Sequence, residues 1–270
     1  MKIALIGFTK MAYMPYMHFY LNQIDMVKND VHLIYWDRDD KKDADAPDGL
    51  TVHSFKKPMS DAIPLRKKAG KILAYGAFIK KELKRIKPDF LIVMHSTTGI
   101  SIYPTLVKKF KGKYIFDFRD LTYESIFWYK KMVAEIVKKS AVSFISSDGF
   151  RPFLPQSDKL LTSHNVNFNS DCSGAVRKTE KKSPINICFW GLIRHGAINR
   201  EIIKKLGNDE RFELNYYGRA QGEMLKLMEE AQKEYKNVKF HGEYLPGDQL
   251  SFSKNADIIH NITLSCLIIW

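Results

Sequence analysis

No two cysteines in this chain of 270 residues stand in a CxxC spacing. The three that occur, Cys172, Cys188 and Cys266, cannot all be bridged. A disulfide framework and a cysteine zinc site are therefore excluded, and a reducing compartment is expected. Long apolar runs are also missing: stretches such as FLIVM at 90–94 and LSCLIIW at 264–270 fall far short of the roughly 20 residues of a spanning helix. The opening MKIALIGFTK is too brief an apolar run for a secretory signal, so the expected location is cytoplasmic. No GxGxxG follows the first apolar run and no GxxxxGK[ST] exists, which argues against dehydrogenase and P-loop chemistry. Acidic residues are in deficit, 30 against 43 basic ones, for a net charge of +13. Such an excess favours acidic partners: nucleic acid, an anionic membrane face or phosphorylated substrates. The glycine-aromatic repeat of an RNA-binding sheet is absent, and no nucleic-acid partner is expected.

What is present is alternation. KIALIGF (2–8), VHLIYW (31–36), TVHSF (51–55), DFLIVMHS (89–96), KYIFDF (113–118) and AVSFISS (141–147) read as strands, most of them too apolar to keep one face wet. Helices are expected at 13–28, at 66–87 with Ile72, Tyr75, Gly76, Ile79, Leu83 and Ile86 on one stripe, near 100–110, and at 124–139. The segment 165–184 is poor in large apolar residues and rich in Asn, Ser and Lys, which marks a linker. A second series follows: strands INICFWG (185–191), FELNYYG (212–218), VKFHGEY (238–244) and DIIHNI (257–262), with helices at 197–206, 220–235 and 247–254. The pattern predicts an α/β protein of two doubly wound, Rossmann-like domains facing a cleft. Residues 1–164 form the first domain, 165–184 the linker and 185–270 a second, incomplete domain.

In an open parallel sheet, ligands bind beyond the carboxyl ends of the strands. Three strands of the second half end on glycines there, in CFWGLIRHG, NYYGRAQG and FHGEY. Gly191 and Gly218 would let a ligand approach the backbone, and the helix beginning near 197 would aim its N–H groups at it. Arg194 and Arg219 could neutralise a phosphate by paired hydrogen bonds. The same glycines also suit tight turns, and the same arginines a solvated surface. In the first half, YIFDFRDLTYES sets Arg119 and Asp120 just after a buried strand, where a carboxylate could take a proton from a hydroxyl nucleophile. A structural Arg–Asp pair closing the turn is the competing account. His95 follows another strand, as a base or as a hydrogen-bonded turn residue, and His164 and Asn165 stand at the junction, lining a cleft or capping a turn.

These features resemble the GT-B fold glycosyltransferases, specifically the family 4-like retaining transferases that build surface polysaccharides. DFRDLTYES is similar to a segment reading RDLWPES in one branch that makes capsule and O-antigen. SHNVNF (163–168) resembles the family's interdomain PNGVD. CFWGLIRHGAINREII resembles the loop G-R-x-x-x-x-K-G, and NVKFHGEYLPGDQLSFSKNADIIH resembles the stretch NVxFxGxVxxxELxxxYxxAD. The resemblance implies an acceptor-type first domain and a nucleotide-sugar-binding second domain. It implies transfer of a hexose to a polysaccharide or lipid-linked acceptor in surface or capsular polysaccharide synthesis, by front-face attack with no required metal and no resident cofactor. Arg194 is implied as the phosphate-binding cation, with Arg219, Glu243 and Tyr244 near the nucleotide base. Arg119 and Asp120 lie where many relatives place a sugar-contacting histidine. The lysine of the first donor loop is replaced by His195-Gly196-Ala197, and the Gly-Gly pair of the first loop is absent from GFTKMAYMPYM.

The family's Glu-x₇-Glu segment is also missing, because the chain closes on TLSCLIIW; a truncated or frame-shifted product is the expectation. Two further classes therefore stand beside an active transferase. One is an inactive remnant or accessory subunit that binds a glycan or a partner chain. The other is a sugar-nucleotide epimerase, for which no acidic pair is visible. Between Arg66 and Lys87, nine Lys/Arg residues face one acid, Glu82. Such a helix could lie on the anionic inner face of a membrane, or simply present a solvated side while its stripe packs on the sheet.

Overall fold

Every side chain of the first strand, β1 (Lys2–Ile6), is buried after Lys2, as a strand covered on both faces requires. The computed structural model describes residues 1–39, 42–59, 65–164, 183–244 and 248–260. Most of the expected linker with Asn165, part of the final motif (245–247), and the closing segment with Cys266 lie outside these residues, as does Cys172. The chain divides into two compact units, Met1–Ser170 and Asp171–Trp270.

The first unit holds seven parallel strands: β1, β2 (Asp30–Asp37), β3 (Leu50–Lys56), β4 (Phe90–Met94), β5 (Tyr114–Phe118), β6 (Val142–Ile145) and β7 (Leu160–Thr162). Their order is β3-β2-β1-β4-β5-β6-β7, so the winding reverses between β1 and β4. One face carries α1 (Met17–Leu21), with Met11, Met14, Met17 and Leu21 packed on Leu5, Leu33 and Ile92. The other carries α2 (Leu65–Ile86), α3 (Ser96–Ser101) and α4 (Phe127–Lys139) over Ala4, Ile6, Val93 and Phe116. The stripe predicted on α2 is what it buries: Tyr75, Ile79, Leu83 and Ile86 are all in this core. Gly76 lets α2 lie directly on α3, since a Cβ there would meet the Ser101 carbonyl oxygen at 2.4 Å.

Three elements differ from the sequence expectation. The helix expected over 13–28 is a 3₁₀ turn (Met11–Tyr13) followed by the five residues of α1. Pro15 interrupts the start, and the Asp25 carboxylate accepts from Val27 and Lys28 N–H at 3.0 and 3.1 Å, holding the chain in a turn. The helix expected near 100–110 begins earlier, at Ser96, because the His95 ring caps it; beyond Pro104 it continues as a π turn (Thr105–Lys109). Strand β7 was not anticipated, since its three residues LLT are too few to show a pattern.

The second unit holds β8 (Ile185–Leu192), β9 (Phe212–Arg219), β10 (Val238–Gly242) and β11 (Ile258–Ile259), all parallel, in the order β10-β9-β8-β11. Helices α5 (Gly196–Leu206) and α6 (Glu223–Glu234) cover one face through Ile203, Leu227, Met228 and Ala231, packed on Phe189, Leu214 and Tyr216. The opposite face is polar. Asn215 Nδ2 donates to Glu213 Oε1 at 2.9 Å, His241 Nε2 donates to Asn215 Oδ1 at 2.8 Å, and Lys239 Nζ donates to Glu213 Oε2 at 2.6 Å. With Asn186, Cys188 and Tyr217 these residues line a depression of about 270 Å³. The short α7 (Gln249–Ser253) contributes Phe252, whose ring stacks on Tyr217 at 4.0 Å.

Candidate functional site

The reversal of strand order between β1 and β4 opens a crevice at their carboxyl ends. His95 stands there with φ 82° and ψ 139°, a backbone region that L side chains rarely adopt. Its ring stacks on Phe8, from the loop after β1, at 5.1 Å and 8° between planes. Nδ1 accepts from Thr97 N–H at 3.2 Å, which places the proton of the neutral ring on Nε2. Burial, helped by the Arg38 charge, lowers its pKa to about 4. His95 is therefore a neutral hydrogen-bond donor at pH 7. Beside it, Ser96 Oγ, Thr122 Oγ1 and the Tyr129 hydroxyl form a closed triangle with edges of 2.9 to 3.0 Å.

Arg119 and Asp120, adjacent in sequence, part company. Arg119 is buried, with Nε 2.6 Å and Nη2 2.9 Å from the two oxygens of Asp117, which lies on the same strand face two residues earlier. Tyr20 donates to the same carboxylate at 2.6 Å, and Arg119 Nη1 reaches the Ser163 carbonyl at 3.1 Å. Burial raises the Asp117 pKa, while the Arg119 charge pulls it down. The structural Arg–Asp pair therefore forms with Asp117 rather than Asp120. Asp120 is exposed. His164 is also exposed and donates from Nδ1 to the Ser146 carbonyl at 3.1 Å, and Ser146 Oγ donates in turn to the Arg119 carbonyl. The sequence pattern assigned Asp117 no role, although a carboxylate inside the apolar run YIFDF, which demands a buried partner, carried the signal.

In the second unit, Gly191 and Gly218 are opposite each other in the β8–β9 register, with φ 126° and 135°. A Cβ on Gly218 would lie 1.8 Å from the Gly191 carbonyl oxygen, so the neighbouring strand alone demands that glycine. A Cβ on Gly191 would meet nothing within 4 Å among the described residues, which leaves room there for a ligand to approach the backbone. Arg194 is exposed, its carbonyl held by Asn199 Nδ2 at 2.6 Å just ahead of α5, whose first turn no side chain caps. Arg219 is half-buried, with Nε 3.7 Å from Glu243 Oε1, so it shares its charge with a carboxylate. Tyr244 is half-buried edge-on to Phe252 at 5.1 Å. Among the described residues, no three His, Cys, Asp or Glu side chains converge to hold a metal ion. No helix among them is long and apolar enough to cross a membrane.

The fold is that of the GT-B glycosyltransferases. Sucrose-phosphate synthase of Thermosynechococcus elongatus matches 96% of this chain and 74% of its own at 11% identity, with a TM-score of 0.70. Anabaena HepE, solved with UDP and glucose, matches 96% and 73% at 11% identity and a TM-score of 0.62. The UDP-N-acetylglucosamine 2-epimerase of Rickettsia bellii matches the same shares at 11% identity and 0.58, so the fold by itself does not separate transfer from epimerisation. No curated protein sequence matches the chain. The chain belongs to the glycosyl transferase 4-like family, whose model matches residues 2–142, and this supports glycosyl transfer.

Proposed function

We propose that the chain serves transfer of a hexose from a nucleoside-diphosphate sugar to a polysaccharide or lipid-linked acceptor, with retention of configuration. The observation that carries the reading is the open backbone at Gly191 beside exposed Arg194 and the uncapped start of α5. Together they offer a diphosphate what it needs: close approach, a guanidinium and oriented N–H groups. In this reading Arg194 binds the phosphates, while Arg219, Glu243 and Tyr244 border the base. In the first unit, the Nε2–H of His95 is offered to a hydroxyl of the acceptor, and Asp120 receives the proton of the attacking acceptor hydroxyl. The bond from the anomeric carbon to phosphate breaks, the acceptor oxygen takes its place, and the nucleoside diphosphate leaves. No step calls on a metal or a resident cofactor.

The test is acceptor-dependent release of nucleoside diphosphate by the purified chain from a panel of sugar donors. Arg194→Ala should weaken donor use at least about tenfold, and Asp120→Ala should lower turnover about 100-fold with little change in donor binding. Full activity in Asp120→Ala removes that residue from the reaction. The absence of release from every donor and acceptor tried overturns the transferase reading.

A further inference from the structure

Arg194 stands in the turn from Ile193 to His195 that joins β8 to α5. His195 closes the turn at φ 61° and ψ 60°, a left-handed region that is uncommon outside glycine and persists only where the surroundings hold it. Ile193 is fixed at the other end, buried, with its N–H donating to the Arg219 carbonyl at 2.9 Å. The exposed guanidinium of Arg194 has no carboxylate partner among the described residues, in contrast to Arg219 with Glu243. Its direction is therefore set by its backbone. That backbone is held by Asn199, on the first turn of α5 and only 1% exposed. Asn199 Nδ2 donates to the Arg194 carbonyl at 2.6 Å, with the His195 carbonyl at 3.5 Å. The N–H groups of Ile198 and Asn199 both go to the His195 carbonyl at 3.1 Å, so the helix takes that oxygen for its own start and the amide takes the one before it. Asn199 Oδ1 is sealed from solvent and accepts no hydrogen bond among the described residues. A buried amide oxygen without a donor costs stability, and an apolar side chain of similar size would avoid that cost. What the position gains in return is the N–H donor.

We propose that Asn199 is a positioning residue: by tying the Arg194 carbonyl it fixes the turn in which Arg194 stands and aims the guanidinium at the diphosphate. The inference rests on the reading of Arg194 as the phosphate-binding cation and lies one contact behind it, since the buried Asn199 amide touches no ligand itself. A guanidinium whose backbone is fixed loses less freedom when it pairs with a phosphate, and its planar fork needs a defined direction of approach. Released, the turn keeps its charge but not its aim. The loss then falls on affinity for the phosphates and is smaller than the loss of the guanidinium itself. The chemistry asks for a donor at 199, so filling the space with an apolar side chain does not replace it.

Binding of UDP, ADP and GDP to the full chain is measured by calorimetry, and the variants are compared on whichever of them binds. Asn199→Leu fills the place without a donor, and Asn199→Ala keeps the helix without one; both should weaken binding about fivefold, less than Arg194→Ala does. Joined to Arg194→Ala, either change should cost less than about twofold more, because the residue that it aims is gone. Wild-type affinity in Asn199→Leu overturns the proposal, since it marks the position as packing alone. An equal loss with and without Arg194 overturns it too, by showing a general support of the second unit. In both of those cases Arg194→Ala still weakens binding and the reading of Arg194 stands. Absence of binding by the wild type, or binding indifferent to Arg194→Ala, removes that reading and this one with it.

Discussion

Gly191 and Gly218 look equivalent in the sequence, each closing an apolar strand, yet the structure separates them. Gly218→Ala forces a Cβ against the Gly191 carbonyl and should cost more than about 3 kcal/mol, because backbone cannot yield as a side chain can. Gly191→Ala meets open space and pays only for its φ, about 1–3 kcal/mol, so its urea midpoint should fall less. The two acids around Arg119 divide in the same way. Asp117→Asn leaves a buried guanidinium without its counter-charge and should cost about 3–5 kcal/mol, whereas Asp120→Ala should stay within about 0.5 kcal/mol of wild type. Equal losses in these two variants would contradict the assignment of the ion pair to Asp117. His95 supplies a pH prediction. Its folded pKa, about 4, lies below the ordinary 6.5, so the unfolded chain takes up the proton first. Stability from this residue is complete above pH 6.5 and falls as the pH drops towards 4, by as much as about 3 kcal/mol. In His95→Asn that part of the slope should disappear from urea midpoints measured across the interval.

At the scale of elements, the strands and α2 were legible because buried parallel strands are short unbroken apolar runs and α2 repeats its apolar residues over six turns. Leu83→Ala on that stripe should cost about 2–5 kcal/mol, and Leu73→Ala, 70% exposed on the outer side, about 0.5 or less. What could not be read were elements set by single contacts: the turn that Asp25 closes after α1, the start of α3 under the His95 ring, and the three-residue β7. The candidate site was legible as positions more than as partnerships. Gly191, Arg194 and His95 stand out as candidates because strand ends are where open sheets bind ligands. The commitment of Arg119 to Asp117 was not legible, because spacing does not say which of two neighbouring carboxylates the guanidinium takes, and the Tyr20 hydroxyl that joins Asp117 comes from 97 positions away. Nor did the second series of strands announce its wet face. Asn186, Glu213, Asn215, Lys239 and His241 alternate with apolar residues, a period of two hidden inside runs that also contain Cys188 and Tyr217.

At the scale of the molecule, two parallel sheets reverse their winding at one point each, between β1 and β4 and between β8 and β11, and the candidate residues gather at the carboxyl edges. The net charge of +13 belongs to the same account. A chain that binds a diphosphate gains encounter rate from excess positive charge, and such a contact should weaken as salt shortens the screening length. Nucleoside-diphosphate-sugar recognition by the second unit is the central claim, and equilibrium binding tests it most directly. Titration of the full chain with a panel of nucleoside diphosphate sugars should show saturable binding of at least one base, weakened about tenfold by Arg194→Ala and unaffected by Asp120→Ala. Absence of binding across the panel, or binding that Arg194→Ala leaves unchanged, would contradict it.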